Sequence, residues 1–129
     1  GRMFAGGAGL VSTAYDYAIF MQMILNRGIY NGTRVLSANS VGLMTTNQIG
    51  DLSVGNNKFG LGFAVYTQKS NAQFGVSAGS NDWGGAFSSS YWIDPEKKIV
   101  AQMFINQIPN SHAEIHDKFK VQVYSSLKD

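Results

Sequence analysis

The sequence predicts an α+β fold in which antiparallel strands are flanked by helices. Segments near the two ends, residues 14–26 and 112–127, place apolar side chains at the spacing of an amphipathic helix. Between them lie runs rich in aromatic and β-branched residues, at 59–66, 86–93 and 99–105, separated by turn-forming residues. Helices before and after a run of strands predict a small antiparallel meander with helices packed on one or both faces.

The length and composition describe one domain with an apolar surface. The chain has 129 residues, of which 44% are hydrophobic and 14% are charged. This length suits a single domain over 1–129. Typical domains carry about 25% charged residues, so we expect part of this surface to be covered by a partner or by further chain. We therefore interpret 1–129 as a single partial domain.

The composition also excludes several classes of function. The net charge is +2 and the ten Lys and Arg residues are scattered, which argues against a nucleic-acid partner. The absence of cysteine excludes disulfides, thiolate metal sites and a cysteine nucleophile. No apolar run approaches the about 20 residues that a membrane span requires, and the first residues lack the apolar region of a signal peptide. Because the chain does not begin with Met, we expect a piece of a longer protein.

Cap and turn signals predict the first elements. Thr13, with an acidic residue three positions later, resembles a capping box that starts the first helix, and Gly28 is expected to end it. The Asn-Gly pair at 31–32 predicts a tight turn. Ser37 is expected to cap a short helix that runs through Thr45.

The second half is expected to contain most of the sheet and the last helix. The elements expected before that helix are a glycine-interrupted strand at 59–66, a turn at 69–73, a short strand at 74–77, and a hairpin of strands 86–93 and 99–105 joined at Asp94-Pro95. The last helix is expected over 112–127, with the lysine at 120 mostly outside its buried stripe. The expected stripe is His112, Ile115, Phe119, Val123 and Leu127.

One segment, residues 80–95, combines a polar turn, a glycine pair and an aromatic strand. Because they lack a Cβ atom, Gly84 and Gly85 allow another backbone or a ligand to approach closely. N–H groups exposed beside them would suit oxyanion binding, with Trp83 as part of an aromatic wall. On composition alone, an ordinary tight turn is the simpler interpretation of the same residues.

Two histidines resemble a metal motif and have a simpler explanation. His112 and His116 lie one helical turn apart, a spacing that can bind zinc. The metalloprotease motif needs Glu directly after the first histidine, where this chain has Ala113. No third ligand follows from the sequence, so we predict two ordinary histidines and no metal site.

Other matches are also explained without chemistry. Residues 125–128 have the Ser-x-x-Lys spacing of penicillin-binding enzymes. Lys128 stands at the end of the chain, where we expect no burial that would lower the pKa of its amine, so we interpret the match as chance. Asp82 and Asp94 are explained by turn chemistry and are not predicted to form an acid–base pair.

A series of segments carries a family resemblance. Residues 6–18 read Gly-Gly-Ala-Gly-Leu-Val-Ser-Thr-Ala-Tyr-Asp-Tyr-Ala, residues 44–47 read Met-Thr-Thr-Asn, residues 59–63 read Phe-Gly-Leu-Gly-Phe, and residues 83–85 read Trp-Gly-Gly. In this order and spacing they resemble the serine β-lactamase and penicillin-binding-protein-like superfamily, and its class C-like branch in particular. The third motif of that family is Lys-Thr-Gly or His-x-Gly in many members and Trp-Gly-Gly in esterase-like ones. The resemblance extends from residue 6 to about residue 106.

The resemblance implies roles for four residues. Trp83, Gly84 and Gly85 would line a serine hydrolase active site and bind the substrate. The backbone N–H of Ala86 would be one donor of the oxyanion hole, and the nucleophilic serine would supply the other. The upstream Ser-x-x-Lys and Tyr-x-Asn motifs have no usable counterpart here. The resemblance therefore implies the C-terminal portion of a β-lactamase/transpeptidase-like fold, with no nucleophile in this chain.

The function implied for the complete protein is cleavage of an ester or amide through a serine acyl-enzyme. The substrate would be a β-lactam, a short ester or a D-amino acid peptide, with no cofactor, and this chain alone would be inactive. The missing N-terminal part or another copy would cover the exposed sheet edge. Relatives are often exported, which favours the bacterial periplasm or secretion. The alternative is a noncatalytic binding module of the same fold that recognises cell-wall or peptide ligands, which an upstream Ser-x-x-Lys with Tyr-x-Asn would argue against.

Overall fold

The computed structural model describes residues 6, 7 and 9–127, without the side chains of residues 71–73. Lys128, of the Ser-x-x-Lys match, lies outside the described residues. The helices are α1 (Ala14–Leu25), α2 (Ala38–Thr45), α3 (Gln68–Phe74) and α4 (Glu114–Ser125). The strands are β1 (Ile29–Tyr30), β2 (Thr33–Arg34), β3 (Lys58–Phe59), β4 (Ala64–Val65), β5 (Asn81–Gly84), β6 (Ser90–Asp94) and β7 (Ile99–Met103).

A five-stranded antiparallel sheet with the order β3-β4-β5-β6-β7 lies at the centre of the fold. Each strand pairs with the next one along the chain, so the sheet is a meander. Strands β1 and β2 form a separate two-stranded hairpin. The expected α+β class, with antiparallel strands flanked by helices, is confirmed.

Helices cover both faces of this sheet. Side chains alternate between the two faces along each strand, so neighbouring residues of one strand pack against different helices. Tyr91 and Ile93 of β6 pack with Phe63 against α1 and α2. Trp92, between them in sequence, points to the opposite face and packs with Tyr66 and with side chains of α3 and α4. Trp92 and Ile93 are at most 2% exposed, so the centre of the sheet is buried on both sides and the fold has three layers.

The first elements agree with their cap signals. The Thr13 side chain accepts a hydrogen bond from the backbone N–H of Asp16 at the start of α1. Ser37 does the same for α2 by accepting from Ser40 N–H. The Asn-Gly pair at 31–32 has positive φ at both residues, +48° and +78°, as a tight hairpin turn of this kind requires. Helices, caps and turn are therefore confirmed here.

The glycine-interrupted strand expected at 59–66 is wrong, because this region holds the end of β3 and all of β4. The chain instead forms a tight hairpin in which Gly60 N–H donates to the carbonyl of Phe63 at 2.8 Å. Gly62 has φ +115°, which favours glycine. A Cβ atom on Gly60 would lie 2.0 Å from the carbonyl oxygen of Met44, so this glycine allows α2 to approach the sheet.

The turn expected at 69–73 and the strand expected at 74–77 are also wrong, because α3 occupies most of this region. Thr67 N–H donates to Ser70 Oγ at 2.8 Å, a side-chain contact of the kind that starts helices. Gly75, with φ +71°, follows the last helical residue and ends the helix. The Thr-x-x-Ser pattern at residues 67–70 is the local sequence signal that could have predicted α3.

The strand expected at 86–93 begins only at Ser90. Residues 86–88 form a three-residue hairpin loop between β5 and β6. Ser88 N–H donates to the carbonyl of Gly85 at 3.0 Å, and Ser88 itself has φ +67°. A type I turn followed by a residue in this left-handed region is a frequent three-residue hairpin. The expected pairing of the following strands is confirmed, since β6 and β7 are antiparallel.

Helix α4 buries a different stripe from the one expected. Phe119 and Val123 do pack against the sheet, but Ile115 and Leu127 are about 40% exposed. Lys120, expected outside the stripe, is only 8% exposed. The reason is a partner for its charge on β5, which helical spacing does not reveal.

Candidate active site

Three of the four predicted site residues lie where β5 ends, and the fourth opens the hairpin loop. Trp83 and Gly84 are the last residues of β5, Gly85 follows the strand, and Ala86 is the first loop residue. All four are exposed. The structure therefore brings the predicted residues together at one surface, at the sheet end where β5 turns into β6.

The hydrogen bonds between β5 and β6 define the direction of the backbone N–H groups at residues 84–86. Gly85 N–H donates to the carbonyl of Ser89 at 2.9 Å, so Gly85 faces β6. Successive residues of an antiparallel strand face opposite edges, which directs the backbone groups of Gly84 away from β6. Ala86 occupies the second position of the turn, and its N–H donates no hydrogen bond to any residue that the structure describes.

The edge of β5 opposite β6 is open beyond Asp82. Strand β4 pairs with β5 only at two positions, Ala64 with Asp82 and Val65 with Asn81. Over the described chain, Trp83 and Gly84 therefore have a strand partner on one side alone. An extended substrate or a neighbouring segment can approach the main chain from the other side.

Trp83 forms an aromatic wall beside this open edge. Its ring meets that of Phe59 edge to face, with centroids 5.0 Å apart, an arrangement that aromatic pairs prefer. About half of Trp83 stays exposed, at 47%. A large aromatic side chain that is held by a neighbour and still half exposed offers a preformed contact surface for an apolar ligand group.

The two glycines of the motif are required by close packing. A Cβ atom on Gly84 would lie 2.7 Å from the backbone oxygen of Ser89, and one on Gly85 would lie 2.5 Å from the Ser89 side-chain oxygen. Neither glycine has a positive φ. Their role in the isolated chain is therefore to let β5 and β6 approach each other at the turn.

A polar cluster lies behind β5, on the side of α4. The hydroxyl of Tyr66 donates to Asp82 Oδ2 at 3.0 Å, and Lys120 Nζ donates to the Tyr66 hydroxyl at 2.8 Å. Burial raises the pKa of Asp82 above its usual range, while the Lys120 ammonium and the Tyr66 hydroxyl oppose the rise. Burial, followed by the charge of Asp82, raises the pKa of Tyr66. Asp82 is thus paired in the interior, which corrects its interpretation as a turn residue.

A second polar cluster holds α4 to β6. The Tyr124 hydroxyl donates to Asp94 Oδ2 at 2.7 Å and accepts from the indole N–H of Trp92 at 3.2 Å. Asp94 also accepts from the backbone N–H of Lys97 at 2.9 Å, so its predicted turn role is confirmed. Burial would raise the pKa of Asp94, but hydrogen bonds from Lys97, Tyr124 and Ser77 outweigh it and lower the pKa.

The structure also forms a serine–histidine pair that sequence reasoning missed. Ser90 Oγ lies 2.9 Å from His116 Nδ1, and Ser90 is the β6 partner of Gly84. The two residues are 26 positions apart in sequence, so no short motif announces them. His112 instead lies 3.7 Å from Glu114. No described carboxylate holds the other ring nitrogen of His116, unlike the histidine of a catalytic triad.

The described residues carry no metal-ligand cluster and no membrane-spanning helix. No group of three or more His, Asp or Glu side chains in that part of the chain converges as metal ligands. The described helices are all too short or too polar to cross a bilayer.

Known structures share the fold of this chain. EstCE1, a hydrolase with promiscuous acyltransferase activity, superposes with a TM-score of 0.76 at 23% identity over 92% of this chain and 31% of its own. A putative 6-aminohexanoate-dimer hydrolase from Bacillus anthracis superposes with a TM-score of 0.67 at 23% identity, over 88% of this chain and 28% of its own. This chain therefore has the fold of about a third of each of these two structures.

The family follows from the sequence comparison. The Beta-lactamase family model matches residues 1–124, so the chain belongs to the β-lactamase family. Protein Rv1367c of Mycobacterium tuberculosis is 36% identical over 118 residues, which cover 81% of this chain and 29% of that protein. A putative D-alanyl-D-alanine carboxypeptidase of Escherichia coli O157:H7 is 31% identical over 119 residues, covering 90% and 26%. The chain thus spans less than a third of the length of these relatives.

Proposed function

We propose that this chain is the C-terminal part of an esterase-like serine hydrolase, in which Trp83, Gly84, Gly85 and Ala86 form one wall of the active site. The reaction is acyl transfer from an ester or amide to water. A serine outside these 129 residues attacks the carbonyl carbon, the alcohol or amine leaves with a proton, and water then hydrolyses the acyl-enzyme. The 129-residue chain alone is inactive because it lacks that serine and its base.

The observation that carries this proposal is the backbone at the end of β5. The Ala86 N–H has no acceptor among the described residues, and Ala86 is an exposed residue. The strand edge beside it is open beyond Asp82. A preorganised donor aimed at a developing oxyanion is worth about 2.7–4 kcal/mol of barrier stabilisation. Family membership makes acyl transfer the reaction that this donor would serve.

The wall beside Ala86 supports an uncharged ester as the substrate. Trp83 stands where many relatives carry the lysine of Lys-Thr-Gly, so this position offers an aromatic surface in place of a cation. Lys58 of β3, two strands from β5 in the sheet order, uses its ammonium on the carbonyls of Gly50 and Leu52. Two similar proteins, a hydrolase with promiscuous acyltransferase activity and a putative D-alanyl-D-alanine carboxypeptidase, agree with acyl-transfer chemistry.

A fluorophosphonate probe followed by intact-mass spectrometry tests the proposal. The longer protein that contains this segment should gain the mass of one adduct, and the 129-residue chain should gain none. Heat-unfolded longer protein is the control, since an activated serine loses its reactivity on unfolding.

Two results would overturn the proposal. An adduct on the 129-residue chain would place a nucleophile within it, and Ser90 beside His116 would be the first residue to examine. A longer protein that binds cell-wall or peptide ligands but takes up no probe would be a noncatalytic binding module.

A further inference from the structure

Lys120 is a buried cation in the helix that covers the back of the candidate active site. It is 8% exposed, whereas lysine is almost never buried unless it is paired. Its ammonium donates to the Tyr66 hydroxyl at 2.8 Å and lies 3.5 Å from Asp82 Oδ2. It also lies 5.5–5.8 Å from the ring centroids of Tyr66, Phe74 and Trp92. Residues of β5, β6 and α3, together with Tyr66 just after β4, thus converge on one charge of α4.

Stability alone does not account for such a pair. Replacing a buried ion pair by apolar residues of similar volume is often neutral or stabilising, whereas removing one partner is strongly destabilising because it leaves an unpaired buried charge. A buried polar contact is directional, however, and can fix how two elements are placed relative to each other. Here the contact fixes one position of α4 against one position of β5.

The position that it fixes on β5 is the last one held on both edges. Asp82 pairs with Ala64 on one side and with Trp92 on the other. Beyond it, Trp83 and Gly84 are paired with β6 alone among the described strands. The side chain of Asp82 points to α4, and the chain then continues into the segment that bears the open N–H of Ala86.

We propose that Lys120 is a positioning residue for the candidate active site. Through Asp82 and the Tyr66 hydroxyl, its ammonium anchors β5 immediately before the Trp83–Ala86 segment, so that this segment keeps one orientation. The anchoring is independent of any reaction, and its consequence for hydrolysis rests on the proposed function.

Amide hydrogen exchange on the 129-residue chain tests the anchoring. Lys120→Met removes the ammonium, and the amides of Asp82, Trp83 and Gly85 should then exchange about tenfold faster relative to those of α1. The matched control is Tyr124→Phe, which removes a buried hydrogen bond between the same helix and β6. It should leave the β5 amides within about twofold of the wild type relative to α1.

A second variant separates anchoring from the burial of an unpaired charge. In the triple replacement Tyr66→Phe, Asp82→Leu and Lys120→Met, no charge remains in this cluster, so the thermal stability lost in Lys120→Met should return. If Lys120 acts as an anchor, Gly85 should still exchange about tenfold faster than in the wild type relative to α1. Wild-type exchange at Gly85 in this folded variant would overturn the proposal.

The longer protein supplies a catalytic readout. Lys120→Met should lower kcat about tenfold or more with little change in KM, because the misplaced segment weakens transition-state contacts rather than substrate binding. Tyr124→Phe should leave both constants near the wild type. An unchanged kcat in Lys120→Met would reject the positioning role, whereas failure of the wild type to react with the fluorophosphonate would reject the proposed function and leave the exchange result intact.

Discussion

At Ala86, the backbone N–H can be removed by substitution without disturbing the local structure. Its N–H carries the proposed oxyanion contact and makes no other hydrogen bond to the described chain. It also occupies the second position of a type I turn, where proline is favoured. A proline there lacks the N–H and keeps the backbone angle.

Ala86→Pro in the longer protein should therefore lower kcat by about 10²–10³-fold, the cost of losing one oxyanion donor. The melting temperature should stay near that of the wild type. Ala86→Gly retains the N–H and is the control, and its kcat should change little. Equal losses of activity in both variants would show that the side chain, and not the donor, matters.

Asp94 makes the stability of the domain sensitive to acid. Its pKa in the folded state is lowered from about 3.9 in the unfolded chain. A carboxyl with a lowered pKa stabilises the fold above the unfolded pKa, and this contribution is lost as the pH falls through the folded value. The Tyr124 hydroxyl is one of the donors that maintain the shift.

Tyr124→Phe should cost about 1.5–3 kcal/mol in the free energy of unfolding at pH 7, since it removes a hydrogen bond to a charged group. The cost should shrink as the pH falls from about 4 through the lowered pKa of the folded state, because the carboxylate then becomes protonated. A remainder should persist, because the Trp92 indole also loses its acceptor. Urea unfolding at pH 7 and pH 3 measures the difference, and a cost independent of pH would contradict this assignment.

At the level of single elements, the packing of the β5–β6 hairpin leads to a prediction. Gly84 faces a backbone oxygen of Ser89, which cannot move without displacing the strand, whereas Gly85 faces the side-chain oxygen of the same residue, which can rotate. The two glycines of one motif should therefore differ in their tolerance of a methyl group.

Gly84→Ala should destabilise the 129-residue chain by about 1–3 kcal/mol through overpacking, and Gly85→Ala should cost less. Combining Gly85→Ala with Ser89→Ala should recover most of that smaller cost, because the opposing oxygen is gone. Denaturant midpoints of the four proteins provide the comparison. Equal costs for the two glycines would indicate that backbone freedom, and not packing, explains the motif.

The elements that the sequence correctly predicted are those whose signals lie within a few neighbouring residues. Thr13 and Ser37 cap α1 and α2 through side chains three residues away from their partners. The burial of Lys120 had no such signal, because its partner Asp82 lies 38 positions away. The site segment was predictable as a glycine motif, but its open edge depends on where β4 begins, and that is set by the hairpin at 60–63.

At the scale of the whole molecule, the outer edge of β7 stands out. The described residues provide β7 with a strand partner only in β6. The carbonyl of Ser89 faces β5, so alternation along the ladder directs the N–H groups of Val100 and Gln102 outward. Gln102 Oε1 is also buried without a donor among the described residues. An unpaired edge of this kind is a template for another strand.

We expect the 129-residue chain to self-associate at high concentration, and the longer protein to be monomeric because its own N-terminal part covers β7. Gln102→Pro removes an outward N–H and should favour the monomer, whereas Ala101→Pro removes a bond to β6 and should unfold the sheet. Light scattering coupled to size exclusion measures both. A wild-type chain that stays monomeric at high concentration would show that this edge needs no partner.

The unequal burial of the two tryptophans gives the molecule two optical reporters. Trp92 is fully buried between the sheet and α4, and Trp83 is half exposed at the candidate site. Emission from Trp92 should be blue and shielded from iodide, while emission from Trp83 should be red and readily quenched. Occupation of the site would then change one spectral component, and loosening of the core would change the other, in the same unlabelled sample.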